Sequence, residues 1–105
     1  MNEYCLLYLT CANSKEALSI TTVLLSKKLI ACAKQMPVGS NFIWEDNLEH
    51  DDEVLLIMDS RMDLFEEVQA EVTQLHSYQI FVLQAVPLIK INADAALWLK
   101  ESLKY

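Results

Sequence analysis

The sequence predicts an α+β domain of the ferredoxin-like type, a βαββαβ sandwich with an extra C-terminal helix. Two observations predict this class. First, strand-like apolar runs and segments of helical spacing follow one another in the order βαββαβ. Second, each of the two helices between strands is long enough for a right-handed crossover connection. The 105 residues, of which 53% are hydrophobic, suffice for one core. We therefore predict a single domain over residues 1–105.

The first strand and the first helix follow each other directly. Tyr4–Cys11 carries apolar side chains at even and odd positions, which is typical of a strand buried on both faces. Asn13, with Glu16 three positions later, forms a capping-box pattern, and apolar residues then recur at helical spacing up to Lys28. A helix is predicted immediately after the strand.

A long hairpin is predicted in the middle of the chain. Residues 29–36 are strand-like, the segment 37–40 interrupts the pattern, and 41–45 resumes it, so we expect a long strand with a bend or bulge. The polar stretch 46–52 is predicted as the turn. The apolar run 53–58 is predicted as the returning strand, suited to a sheet interior.

The second half of the chain predicts a helix, a strand and a short last helix. Ser60 is the expected N-cap of the second helix, with Asp63 at its third position. Apolar residues then repeat along one face: Phe65, Val68, Val72 and Leu75. The fourth strand is predicted over 79–86 and ends at Pro87, and Asn92 is the expected cap of the last helix. That helix is expected to turn three residues inward: Ala96, Leu99 and Leu103.

Both faces of the predicted sheet are apolar. In the first strand Leu7 and Leu9 alternate with Leu6 and Tyr8, and the third strand has the same character. The two main helices cover one face, and the last helix is too short to cover the other. Because an exposed apolar sheet face promotes aggregation, we expect subunits to bury it against each other in a homo-oligomer.

Composition and charge narrow the class of partner. With 15 acidic and 8 basic residues the net charge is -7, which opposes binding to nucleic acid or to anionic membranes. The start, Met1-Asn2-Glu3, has no basic segment, and no apolar run approaches the roughly 20 residues of a membrane span, so a cytoplasmic location is expected. The three cysteines form no CxxC pair and are expected to be reduced thiols.

Five short motifs occur in a distinctive order. They are Leu-Ile-Ala-Cys at 29–32, Ser-Asn-Phe-Ile-Trp at 40–44, an acidic segment leading into an apolar strand at 51–57, His-Ser-Tyr at 76–78 and Trp-Leu at 98–99. In this order and with these gaps, the chain resembles the CutA family of divalent-cation tolerance proteins over nearly its whole length. The resemblance implies a homotrimer in which the long hairpin of one subunit extends the sheet of the next.

The resemblance also implies a link to tolerance of divalent metals, particularly copper, without a settled chemical activity. No enzyme is therefore expected. The sequence departs from the family pattern at several positions. Phe81 and Val82 stand where the family has Pro-Glu, so a carboxylate of the family's site is missing. Asp59 stands where Lys is common, Asp46 replaces a Gly, and Ala95 replaces an aromatic residue.

Cys32 and His76 are the candidate metal ligands. A thiolate and an imidazole together suit copper or zinc, the two ions we consider for this protein. The alternative is that Cys32 is a small buried hydrophobe and that His76 caps a helix. The acidic stretch 45–52 lacks the spacing of a calcium loop and is expected to be a solvated hairpin tip.

Four aromatic residues are expected at subunit contacts or in a cleft between subunits: Phe42, Trp44, Tyr78 and Trp98. Two further functions remain open. One is a trimeric small-molecule sensor resembling the PII signalling proteins, and the other is a structural or partner-docking trimer that has lost its site. The single glycine, Gly39, excludes the usual nucleotide-binding fingerprints, and no HExxH or paired-carboxylate signature occurs.

Overall fold

The computed structural model describes residues 3–105. Met1 and Asn2, on which part of the expectation about location rests, lie outside the described residues. The elements are β1 (Tyr4–Cys11), α1 (Ser14–Ser26), β2 (Cys32–Trp44), β3 (Asn47–Arg61), α2 (Phe65–Leu75), β4 (Leu83–Pro87) and α3 (Ala93–Ser102), with one 3₁₀ turn at Met62–Leu64 before α2. This order confirms the predicted βαββαβ arrangement with an added C-terminal helix.

The four strands form one antiparallel sheet in the order β2-β3-β1-β4. The order is that of the ferredoxin-like fold, so the predicted class is confirmed. Every second residue of β1 is fully buried: Cys5, Leu7, Leu9 and Cys11. These side chains share a face with Leu56 and Met58 of β3, because residues paired directly across two strands point the same way. The helices cover this face with Ile20 and Leu24 of α1 and Val68 of α2.

The hairpin of β2 and β3 is longer and more regular than predicted. The two strands pair without interruption from the Cys32–Asp59 pair to the Trp44–Asn47 pair. The expected bend or bulge at 37–40 is therefore absent. Proline is tolerated there because β2 is an edge strand of the sheet. Because β1 pairs with β3 only as far as Val54, residues beyond it project as a two-stranded ribbon.

The predicted turn over 46–52 is wrong. The turn consists of Glu45 and Asp46 alone, with positive φ angles of 50° and 66°. Two successive residues in the left-handed region close a tight hairpin whose twist matches that of the strands. The polar residues that follow are therefore paired strand residues of β3, and the acidic segment forms the ribbon itself rather than a loop at its tip.

Several predicted boundaries also need correction. Ser60 does not cap α2; it is fully buried, and its hydroxyl donates to the carbonyl oxygen of Leu29 at 2.7 Å. The helix instead begins at Phe65, directly after the 3₁₀ turn and without a side-chain cap. β4 begins at Leu83, not at residue 79. Asn92 occupies the N-cap position of α3 but its side chain makes no capping bond.

The face of the sheet opposite α1 and α2 keeps considerable apolar surface. Met36 of β2 is 42% exposed and Val86 of β4 is 48% exposed. Between them lie half-buried apolar residues of the two central strands: Leu6, Tyr8, Leu55 and Ile57. We call this surface, from Met36 through these four residues to Val86, the open face.

Within residues 3–105, no helix combines the length and apolar character needed to cross a membrane.

Candidate functional site

A buried group of polar side chains lies where β1 ends. β4 runs antiparallel to β1 and pairs with it from Leu9 and Leu83 onward, so the segment 76–82 that leads into β4 passes the end of β1. The start of α1 lies at the same place, because α1 follows β1 after two residues. We call the group formed there the His76 network: Cys11, Glu16, Glu53, His76 and Tyr78.

Glu16 forms hydrogen bonds to two separate segments of the network. The Asn13 side chain accepts the N–H of Glu16 at 2.9 Å, as the capping pattern predicts. The Glu16 carboxylate accepts the N–H of Ala12 at 2.7 Å through Oε2 and that of Ser77 at 2.6 Å through Oε1. Burial acts to raise the pKa of Glu16, but these hydrogen bonds outweigh it and the pKa is lowered.

His76 caps the C-terminal end of α2 and its side chain is fully buried. Nε2 lies 2.8 Å from the carbonyl oxygen of Thr10, and Nδ1 lies 3.1 Å from the backbone nitrogen of Tyr78. A carbonyl only accepts and an N–H only donates, so the proton is on Nε2 and the Nδ1 lone pair is the acceptor. Nδ1 also lies 3.8 Å from Oε1 of Glu16. The ring is stacked against Phe81 at 5.3 Å.

Cys11, the last residue of β1, lies beside these two groups. One donor atom each of Cys11, Glu16 and His76 lies within 4.8 Å of the others, and this is the only such group of potential metal ligands in the described part of the chain. Burial, followed by the charges of Glu16 and Glu53, raises the pKa of the Cys11 thiol to about 12. A nucleophilic cysteine needs a lowered pKa, so Cys11 lacks the properties of a catalytic thiol.

Tyr78 connects the network to the sheet. Its hydroxyl donates to the carboxylate of Glu53 on β3, which is 8% exposed. Burial, and then the hydrogen bond to Glu53, raises the pKa of Tyr78. The Tyr78 ring also lies 4.7 Å from the His76 ring. The loop 76–82 is thereby attached to β1, α1 and β3.

Cys32 and His76, the two ligands predicted from the sequence, lie at different places in one protomer. Cys32 lies opposite Asp59 of β3, whereas Thr10, which contacts His76, lies opposite Leu55 of the same strand. Asp59 and Leu55 are four residues apart, so Cys32 and Thr10 are separated by about 13 Å along the strand direction. Cys11, not Cys32, is the cysteine beside His76. Whether Cys32 or His76 binds a metal stays a prediction.

The sequence contains a signal for this grouping. A capping-box glutamate lies at the start of the helix that follows a strand-terminal cysteine, and His76 lies at the end of the second helix. In the ferredoxin-like strand order, the end of that helix returns toward the end of β1. The topology therefore places Cys11, Glu16 and His76 together before any coordinate is known.

The four predicted contact residues are distributed over three regions. Phe42 and Trp44 lie on one face of the projecting ribbon and are 37% and 39% exposed. Trp98 lies on α3 and is 46% exposed. Tyr78 belongs to the His76 network. Their predicted role in subunit contacts stays a prediction.

Together, the fold and the network define a class: small ferredoxin-like proteins with a projecting β-hairpin and a buried polar cluster. The family of the CutA1 divalent ion tolerance protein matches residues 5–102 of this chain. The chain therefore belongs to the CutA1 family, as the five sequence motifs indicated.

Individual relatives agree with this assignment. The divalent-cation tolerance protein CutA of Archaeoglobus fulgidus is 34% identical over 98 residues, which cover 93% of this chain and 96% of that protein. The solved structure of the A. fulgidus protein, described as a periplasmic divalent cation tolerance protein, has a TM-score of 0.94 at 33% identity and covers 96% of this chain and 99% of that chain. The CutA1 crystal structure from Oryza sativa has a TM-score of 0.93 at 28% identity, with 97% and 94% covered.

Proposed function

We propose that this protein is a cytoplasmic homotrimer that binds divalent metal ions, copper or zinc, and so serves metal tolerance. The observation that carries the proposal is the orientation of His76. Its Nε2–H is fixed on the Thr10 carbonyl, so the lone pair of the ring is on Nδ1, the nitrogen that lies 3.8 Å from Oε1 of Glu16. Histidines that bind metals in proteins usually donate their other ring N–H to a carbonyl or carboxylate in this way.

The family supports the same function. The A. fulgidus relative is described as a divalent-cation tolerance protein, and the similarity covers nearly the whole of both chains. The raised pKa of Cys11 argues against a catalytic role for this thiol, because a neutral buried thiol is a poor nucleophile. All three cysteines are free thiols, which fits a reducing compartment.

The open face supports the homotrimer. Met36 and Val86 at its margins expose 42% and 48% of their surface in the single subunit, and the central apolar residues are covered only in part. An apolar patch of this kind on a stable protein usually marks a protein interface. The projecting ribbon adds unpaired strand edges, which a neighbouring subunit can extend as a further strand.

A second candidate function is favoured by one observation: both ring nitrogens of His76 already have backbone partners. In this alternative the His76 network only holds the loop 76–82 in place, and the trimer serves as a scaffold for a partner protein. The two functions differ in their response to metal.

Calorimetric titration of the purified protein with Zn²⁺ and with Cu²⁺ separates them. The metal-binding function predicts a saturable site in the wild type that is lost in His76→Ala and retained in His50→Ala, which removes the exposed histidine of the ribbon. Light scattering of the same samples should give three times the 12.0 kDa subunit mass. Absence of saturable binding would leave the scaffold function, and a monomeric mass would contradict the trimer.

A further inference from the structure

We infer that one face of the projecting ribbon is a docking surface for a basic segment of another protein. This face, which we call the outer face, consists of three cross-strand pairs: Gly39 and Asp52, Asn41 and His50, and Ile43 and Leu48. Its β3 residues follow the buried Val54 in steps of two, whereas Phe42 and Trp44 lie on the side of the open face. Assembly through the open face does not use the outer face, and the inference is independent of metal binding.

Ile43 and Leu48 form an exposed apolar pair near the tip of the ribbon. They lie directly opposite each other on β2 and β3, and 69% and 85% of their surfaces are exposed. Side chains at directly opposite positions of two strands are about 5 Å apart at Cβ, so the two residues form one continuous apolar area. An apolar centre inside a polar rim is the usual composition of a protein interface.

The ribbon carries most of the net charge of the chain. Residues 45–53 contain six acidic side chains, and residues 35–60 contain neither Lys nor Arg. Outside 45–53 the chain has nine acidic and eight basic side chains, so it is nearly neutral there. Glu45 and Asp46 form the turn on one side of the apolar pair, and the Asp52 side chain, 96% exposed, lies on the other. Negative charge on both sides of an apolar area favours a basic segment.

The spacing along the ribbon sets the size of this segment. Asp52 lies four residues from Leu48 along β3, which corresponds to about 13 Å. Asp46 lies two residues from Leu48 on the other side, which corresponds to about 7 Å. An extended segment of about six residues spans this distance, with apolar side chains over the exposed pair and basic side chains at both ends.

Hydrogen bonds between the strands hold the polar part of the outer face in one arrangement. Nδ1 of His50 lies 2.8 Å from Oδ1 of Asn41, and Nε2 lies 3.2 Å from Oδ1 of Asp52. Gly39 leaves room for the imidazole ring, because a Cβ at this position would lie 3.2 Å from Cε1 of His50. A surface that is ordered before binding loses less conformational entropy when a partner docks.

Two other occupants fit the outer face less well. A metal ion needs several donor atoms close together, and among residues 3–105 the only group of three potential ligands is the one at Cys11. The ribbon of a second copy would bring six acidic side chains against six of the same sign, which is unfavourable. A basic segment meets neither objection.

Fluorescence anisotropy with a labelled synthetic peptide provides the test. The peptide has two leucines in the middle and two lysines at each end. We expect saturable binding to the wild-type protein that weakens as salt is added. Affinity should fall about tenfold or more in the double variant Ile43→Ser, Leu48→Ser, because the apolar centre is lost. It should stay within about twofold in Leu18→Ser, which changes a leucine of α1 that is 62% exposed.

A second comparison separates the charge of the ribbon from the charge of the whole chain. Asp46→Asn with Asp52→Asn removes two carboxylates beside the apolar pair, and Glu66→Gln with Glu101→Gln removes two exposed carboxylates from helices. We expect the first double variant to weaken binding about fivefold and to reduce its salt dependence. The second should stay within about twofold of the wild type. Equal losses in the two double variants would overturn the inference.

Three further outcomes would overturn it. They are absence of saturable binding, equal affinity for a peptide with glycine in place of leucine, and a lower mass of the Ile43→Ser, Leu48→Ser variant in light scattering. The last outcome would show that a second copy of the chain occupies the outer face. Titration of this variant with Zn²⁺ should match the wild type, so the proposed metal binding is tested separately.

Discussion

Oε1 of Glu16 accepts the backbone N–H of Ser77 at 2.6 Å, a bond that spans 61 positions of the chain. The same carboxylate holds the N–H of Ala12 at the start of α1. One side chain therefore completes a helix start and anchors the loop that leads into the last strand. Its removal should affect both the local structure and the global stability.

Glu16→Gln should lower the free energy of unfolding at pH 7 by about 1–3 kcal/mol, because an amide replaces the charged acceptor of the Ala12 and Ser77 N–H groups. The pKa of Glu16 is lowered in the folded state, so its stabilisation is present above the unfolded-state value of 4.5 and is lost as the pH falls through the folded-state pKa. Urea unfolding at pH 7 and pH 3 measures this. The difference in the free energy of unfolding between wild type and Glu16→Gln should be smaller at pH 3 than at pH 7. The control Glu66→Gln changes an exposed residue and should show no such difference at either pH.

Tyr78→Phe should destabilise the protein by about 1–3 kcal/mol, because the Glu53 carboxylate, 8% exposed, loses its donor. Thermal or urea unfolding measures the change. Tyr105→Phe is the matched control, since that ring is 86% exposed, and it should be neutral. In the double variant Tyr78→Phe, Glu53→Gln the cost should be smaller than the sum of the single costs; strict additivity would contradict a coupled pair.

The three thiols should differ in reactivity. Burial raises the pKa of Cys5 from 9.0 to about 11 and that of Cys11 to about 12, and both side chains are fully buried, whereas Cys32 is partly exposed. With a thiol-specific reagent at pH 8, Cys32 should react first and the other two only in denaturant. Labelling of Cys11 as fast as Cys32 in the folded protein would refute this assignment.

The same two shifts make stability depend on alkaline pH. Because the folded-state pKa values are raised, the stabilisation is complete below the unfolded-state value of 9.0 and is lost as the pH rises toward 11 and 12. Urea midpoints should therefore be flat between pH 7 and pH 8.5 and fall above pH 9. A midpoint independent of pH up to 10.5 would contradict the burial of both thiols.

Asp46→Gly should stabilise the hairpin. Asp46 has a φ of 66° in a turn where both residues adopt the left-handed conformation, and glycine adopts that conformation without a steric penalty. We expect a gain of about 0.5–1 kcal/mol in the free energy of unfolding. Asp46→Ala controls for the removed charge and should not be stabilising. An equal gain in both variants would assign the effect to charge and not to backbone conformation.

The open face should control association. Ile57→Asp places a charge between Tyr8 of β1 and Lys34 of β2, in the centre of that face. Light scattering should show the mass falling toward the 12.0 kDa of one subunit. Leu18→Asp changes a residue of α1 that is 62% exposed and should leave the mass unchanged. A variant at Ile57 that keeps the full assembly would show that subunits meet elsewhere.

Local patterns in the sequence predicted the fold class and several element starts. The alternation in β1 and the capping pair Asn13 and Glu16 were recognisable because each depends on neighbours within one strand or one helical turn. Residues 47–52 of β3 pair only with β2 and are exposed, so they carry no hydrophobic pattern and their polar sequence predicts a turn, whereas the strand prediction over 41–44 is confirmed. Ser60 looked like a helix cap, but its hydroxyl bonds to Leu29, which is 31 positions away.

The candidate site shows the same difference between local patterns, which the sequence reveals, and contacts between distant residues, which it does not. His76 was identified from the sequence, but its neighbour was not. Cys11 meets it because β4 lies beside β1 in the sheet, and this proximity follows from the strand order of the whole fold and not from the residue types around Cys11. The tautomer of His76 likewise depends on the Thr10 carbonyl, 66 positions away.

The unbroken pairing of β2 and β3 beyond the end of β1 has a consequence for protection of backbone amides. A two-stranded hairpin with solvent on both faces is only marginally stable in water. In an isolated subunit, the amides from Asn47 to Glu53 should exchange with deuterium much faster than those of β1. Slow exchange in this stretch would therefore report that another chain rests on it, and the rate would follow subunit concentration.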